Sequence, residues 1–359
     1  MRRNNFLISI LLLTGLLAAM SGCVISPRRI VGGGGSPTPT PSGSPTATPT
    51  PAPAATGKLY VSNQNGNSIL RFDNAFTASG NQAPSATISG TNTGLSGPQF
   101  MLLDAANDRL FVANATGSSV LIWDAASTRS GNVAPTRTIA GASTGFVTPS
   151  DVALDKTHDL LYVADGPEIF VFSSASTVNG DTLPVRDIVV SGFSIAGMFL
   201  DTAGDRLYLS DAATASIHVY DGASTLNSPT VGLVPNRTFT GGMSQPSGVT
   251  FDAVGNLVVS NQGNGSISVY SSPATANGTV TPITTISGTN TTLLAPGQVI
   301  RNTSTSTNDV IVADSSASEV AFFPSVNTRG GNVAPSRTIS GASTTLNGVP
   351  RGVALDSTR

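Results

Sequence analysis

From residue 58 onward, short apolar runs alternate with clusters of Asn, Asp, Gly and Ser, and the alternation repeats. The clearest landmark is a five-residue strand ending in Asn or Asp: LYVSN (59–63), LFVAN (110–114), LYVAD (161–165), LYLSD (207–211), LVVSN (257–261) and VIVAD (310–314). Their starts lie 51, 51, 46, 50 and 53 residues apart. Each landmark, designated strand b, is followed by a strand c ending in an aromatic: SILRF (68–72), SVLIW (119–123), EIFVF (168–172), SIHVY (216–220), SISVY (266–270) and EVAFF (319–323). Strand d follows a proline, as in PTRTI (135–139) and PSRTI (335–339), and a loop then leads to a strand a such as DVALD (151–155) or GVALD (352–356). Helical spacing of apolar residues is nowhere sustained, so the domain reads as all-β. Four short strands in a period near fifty predict the blades of a β-propeller.

The phase of the repeat predicts how the ring closes. The domain starts on a strand b and ends just after a sixth strand a, so placing 352–356 beside 59–63 leaves no strand unpaired. The expectation is a six-bladed β-propeller of four-stranded antiparallel blades, closed by the C-terminal strand pairing with the N-terminal blade. The free outer edge of strand d would be protected by its proline and, in four copies, by a long solvated charge at Arg137, Arg186, Arg237 or Arg337. The Pro-x-x-V-A-L-D segments (149–155 and 350–356, with other residues at x) and L-Y-V-A-D (161–165) resemble the NHL and YVTN-type propeller repeats of bacterial extracytoplasmic proteins. The resemblance spans roughly 58–359 and implies the fold; propellers host binding modules, scaffolds, lactonases and lyases alike.

The N-terminus carries a different pattern. Arg2 and Arg3 precede an apolar core from Phe6 to Met20, and Met20-Ser21-Gly22-Cys23 is a small-residue cleavage site. Residues 1–22 therefore read as a secretory signal peptide. Cys23, the only cysteine, resembles the lipid-bearing residue of a bacterial lipobox, and Val24 after it favours the outer membrane. Residues 23–57 form a Gly-, Pro-, Ser- and Thr-rich linker that cannot build a core. The membrane is thus expected as a partner through the lipid, with the propeller held away on a semi-stiff stalk.

Charge narrows the chemistry. With 18 Lys and Arg against 20 Asp and Glu, a net charge of −2 and no basic cluster, nucleic acid is excluded as a partner. Fifteen of the 18 Asp occupy repeated turn positions, leaving Asp151, Asp181 and Asp187. His158 and His218 lie in different blades, no nucleophile motif is present, and neither a metal site nor a cofactor is expected. Residues leading into strand a ring the channel mouth, where Gln99, Asp151, Gln298 and Arg351 are the candidate ligand contacts. Leu95, Phe146, Phe193, Met243, Leu294 and Leu346 are expected to anchor the loops behind them. The reading is a membrane-anchored binding or scaffolding module for an envelope protein or glycan; the alternative is a lactonase- or lyase-like enzyme with an unrecognised site at that mouth.

Overall fold

The computed structural model describes residues 56–305 and 307–359. The signal-peptide, Cys23 and most of the linker assignments lie outside the described residues. The described residues form six mainly antiparallel sheets, one per repeat, in a ring. Blade 1 joins the last strand of the chain, Pro350–Asp356, to Lys58–Asn63, Ser68–Phe72 and Ala86–Ser89. The closing register pairs Lys58 with Asp356, Tyr60 with Ala354 and Val61 with Val353. Blades 2 to 6 begin with strands a at Pro98–Asp104, Pro149–Asp155, Gly197–Asp201, Pro246–Phe251 and Pro296–Arg301. In each blade strand a descends, b rises, c descends and d rises. The b–c turns and d–a loops therefore share an upper face, and the a–b turns and c–d connections a lower one.

Hydrophobicity on both sides of the inner strands follows from this arrangement. The apolar core is six clusters, each shared by two neighbouring blades. Leu59, Val61 and Phe72 of blade 1 pack with Ile311, Val320 and Phe322 of blade 6, while Tyr60 and Ile69 on the opposite side pack with Val112 and Trp123 of blade 2. Burying a Leu, Val or Phe side chain stabilises by about 1.5–3 kcal/mol, so each interface is held by many such terms.

The outer edges differ from the sequence expectation. Strand d is not left free; the c–d connection of the next blade climbs its edge and pairs with it in parallel. Gly80, Gly131, Gly180 and Gly331 bridge Ile339, Ile88, Ile139 and Ile286. Ser228–Leu233 and Gly278–Thr279 do the same for blades 3 and 4 as added fifth strands. At the bridge from blade 2 back to blade 1, Gly131 N–H donates to Thr87 C=O at 2.6 Å, and Ser89 N–H donates to Gly131 C=O at 3.1 Å. The glycine there has φ 78°, a left-handed conformation that a side chain disfavours.

The residue after the glycine reaches further. Oδ1 of Asn81, Asn132, Asp181 and Asn332 accepts from the N–H of Ser343, Asn92, Ser143 and Asn290, capping a short helical turn of the preceding blade. Asp181, which the turn pattern left unassigned, is therefore one of a repeated set of caps. Nor are the strand-d arginines solvated. Arg137 is only 9% exposed, and its Nη1 donates to Ala175 C=O in the next blade at 3.0 Å. Arg186 and Arg337 make the equivalent bonds to Ala223 and Ala78, at 3.0 and 2.6 Å. Arg237 turns instead to Asp221, with bonds of 2.8 and 2.6 Å.

Deleting residues 350–359 removes strand a of blade 1 and opens both the ring and an inner sheet edge. The expected result is loss of a single cooperative thermal transition and the onset of aggregation, measured by calorimetry and light scattering; an unchanged transition would contradict closure by this strand.

Candidate functional site

Strands a surround the axis and approach one another closely at the upper mouth. At the level where Val61 pairs with Val353, the residues just above are Phe100, Asp151, Gly197, Gly248, Gln298 and Gly352. A Cβ on Gly197 would lie 2.2 Å from Ser247 C=O of the next blade, and one on Gly352 would lie 2.6 Å from Gln99 C=O. The glycines are thus required by backbone packing between blades. Hydroxyls stitch the same level: Ser62 Oγ donates to Gln99 C=O at 2.6 Å, Ser210 Oγ to Ser247 C=O at 2.6 Å, and Ser260 Oγ to Gly297 C=O at 2.5 Å.

The four sequence-predicted residues take two kinds of position. Asp151 is 4% exposed, and its carboxylate accepts from Val152 N–H and from Met198 N–H of the next blade, each at 2.8 Å. Burial pushes its pKa up to about 7, against the opposing effect of the two N–H donors. Gln298 spans the channel: its Oε1 accepts from Met101 N–H (3.2 Å) and Val353 N–H (2.9 Å), and its Nε2 donates to Met101 C=O (2.8 Å). These two side chains hold strands a of different blades together. Gln99 and Arg351 are half-buried at the mouth. Arg351 Nε donates to Gln64 Oε1 at 2.9 Å, and burial lowers its pKa with no carboxylate contributing.

Gln64 was not singled out in the sequence, although it lies in the NQNGN turn. It joins Arg351 to a shallow groove on the upper face, which is also lined by Asn65, Asn67, Ser96, Gly97 and Thr116. Asn67 Oδ1 accepts from Gly97 N–H at 2.8 Å, fixing one wall. Apart from Arg351, the b–c turns, the d–a loops and the first residues of strand a contain no Lys or Arg.

Most other polar groups of the upper face are committed to the loops. Asp165 accepts from Val147 and Thr148 N–H, Asp314 from Leu294 and Ala295 N–H, and Asn114 from Ser96 N–H. Loop anchoring departs from expectation in blade 6, where Leu293 is 6% exposed and Leu294 is 61% exposed. The side chain that plugs the blade is one residue earlier than the sequence suggested. In blade 4, His218 stacks on Phe193 at 4.2 Å, replacing the Phe170 that meets Phe146 in blade 3. Its ring nitrogens contact Ser216 Oγ at 3.1 Å and Thr238 Oγ1 at 2.9 Å, and burial lowers its pKa against the pull of Asp211. Among the described residues, no group of three or more His, Cys, Asp or Glu could hold a metal ion.

Below the Gln298 level the channel holds a half-open cavity of about 250 Å³ lined by strands a of all six blades. Met101, Leu154, Met198, Val249 and Val353 give it an apolar wall, and Asp151, Gln298 and Arg301 are its only charged or amide side chains.

No protein-family model matches the chain, and no curated protein does. Solved structures do. One chain of a nidogen/laminin complex matches at TM-score 0.56 and 15% identity, covering 84% of this chain and 100% of that one. A functionally unknown protein from Desulfotomaculum acetoxidans DSM 771 matches at TM-score 0.50 and 12% identity, covering 77% of this chain and 78% of its own. At these identities the likeness establishes the propeller fold alone.

Because the folded-state pKa of Asp151 lies above its ordinary 3.8, its contribution to stability is complete below pH 3.8 and is lost as pH rises through about 7. Asp151→Asn loses an acceptor at every pH but removes this titration. The melting temperature of the variant relative to wild type should therefore improve between about pH 4 and about pH 8. A difference that stays constant across that range would show that Asp151 does not titrate there.

Proposed function

We propose that this protein is an extracytoplasmic binding module of the NHL/YVTN propeller type, lipid-anchored at Cys23 to the bacterial outer membrane, whose upper face receives an envelope glycan. The observation that carries the reading is the chemistry of that face. It is a preformed surface of amides, hydroxyls and backbone groups around one guanidinium, suited to sugar hydroxyls rather than to a strongly charged polymer. Gln99 and Arg351 would contact the ligand with Gln64, and Asp151 and Gln298 would keep the mouth rigid beneath them.

The chain joins the domain on the opposite side. Gly57 N–H donates to Arg359 C=O at 3.0 Å, where strand b of blade 1 begins on the lower face. A protein ligand is the second reading, favoured by the match to a chain from a nidogen/laminin complex, an assembly of two proteins. A lactonase- or lyase-like activity would need a reacting group at the mouth, yet both oxygens of Asp151 are bonded to backbone N–H groups.

Two measurements check this reading. Cys23→Ala should move the full chain from the membrane fraction to the soluble fraction and remove lipid mass from its N-terminal peptide; retention in the membrane with an unmodified residue 23 would sink the anchor. On a glycan array, the wild-type chain should retain a hydroxyl-rich oligosaccharide, and Gln64→Ala with Arg351→Ala should weaken it by at least about tenfold, or about 1.4 kcal/mol. Equal retention by the double variant would place the ligand elsewhere.

A further inference from the structure

The lower half of the channel contains a departure from the repeat that the upper face does not explain. Leu103, Leu154, Leu200, Phe251 and Leu355 occupy one level of the ring, each paired with the first apolar residue of its strand b. The sixth member is Arg301, paired with Val310. A charge has been placed among five large, half-buried apolar side chains at the end of the cavity.

Its partners do not account for it. Arg301 Nε is buried and has no hydrogen-bond partner among the described residues. None of the ion pairs among those residues includes Arg301. The contrast with the other structural arginines is direct. Arg71, Arg109, Arg206 and Arg237 meet carboxylates, and Arg137, Arg186 and Arg337 cap carbonyls of the next blade. Arg301 as a whole is half-buried, but its buried Nε is costly to leave unpaired unless something supplies an acceptor. Of the other polar side chains lining the cavity, Asp151 and Gln298 are committed to backbone groups at its opposite end, and Thr250 offers only a neutral hydroxyl.

We propose that the channel is a binding site for a small amphipathic carboxylate of the medium-chain fatty acid class, with its carboxylate on Arg301 and its hydrocarbon chain among Met101, Leu154, Met198, Val249 and Val353. Guanidinium and carboxylate match as a planar fork, and the bond is strongest where water is scarce. Size agrees. A cavity of about 150 Å³ takes benzene, so about 250 Å³ suits a ligand of about ten heavy atoms. Length agrees as well, since Gln298 and Arg301 are three residues apart on one strand, about 10 Å at ~3.3 Å per residue. Orientation follows from charge, since Arg301 is the only cationic side chain lining the cavity and stands at its lower end.

Octanoate and octanol test the site on the full chain, by calorimetry and by the shift in melting temperature. Wild type should bind octanoate at least about tenfold more tightly than octanol, a difference of about 1.4 kcal/mol. Arg301→Leu restores the residue found in four of the other five blades, so folding should be preserved. It should weaken octanoate by at least about tenfold and leave octanol bound as well or better. Arg301→Gln, similar in length but uncharged, should lose octanoate to the same extent. Failure of octanoate to bind wild type, or equal binding by Arg301→Leu, overturns the proposal. Neither variant touches Gln64 or Arg351, so the reading of the upper face stands or falls separately.

Discussion

A strand edge must find backbone partners, and this ring has three kinds of edge to satisfy. The two chain ends satisfy one another, because Pro350–Asp356 supplies the inner strand that the first repeat lacks. At the outer rim, a c–d connection from the following blade lies along each strand d in parallel pairing. At the axis, Asp151 and Gln298 reach backbone groups of strands a that no fifth strand could cover. Unmet edges invite association with other chains, so the pairing protects the domain from association as well as stabilising it.

The same constraint absorbs most of the charge. Arginines of strand d cap carbonyls of the next blade, and aspartates of the turns cap loop N–H groups. Ion pairs such as Arg109 with Asp124 and Arg206 with Asp221 lie toward the lower face. Consequently the upper face can be almost free of basic side chains without the domain losing its polar interlocks. A ligand there would meet a surface already rigidified by hydrogen bonds made for folding, which would reduce the ordering cost of binding.

Strand order, blade number and ring closure were legible in the sequence because they depend on local period and on counting. What remained hidden depends on neighbours distant in sequence. Gly80 pairs with Ile339 and Asn81 caps Ser343, contacts that no spacing within one repeat reveals. The strand-d arginines looked like solvated edge charges because their carbonyl partners lie in the following blade. Leu293 and Leu294 are identical and adjacent, so sequence could not tell the buried anchor from its exposed neighbour. Asp151 begins a strand a in the sequence, but only packing against Met198 makes it a buried bridging group. Arg301 passed unremarked in QVIRN because its significance lies in the five residues beside it on the ring.

Departures from the repeat therefore have to be weighed by what geometry demands at each level. At the level of Asp151 and Gln298, six strands crowd the axis, and six large side chains cannot fit. Three glycines with one Phe, one Asp and one Gln solve the steric problem, and Phe100 of blade 2 reaches within 3.7 Å of where a Cβ on Gly297 of blade 6 would stand. Asymmetry there is required by space and is weak evidence for a ligand. Three residues lower, five blades already carry Leu or Phe, so a sixth apolar residue would fit the ring and cost no desolvation. Sterics does not ask for Arg301, and no protein partner among the described residues meets its buried Nε. Of the two breaks in symmetry along the axis, only the lower one lacks a structural cause.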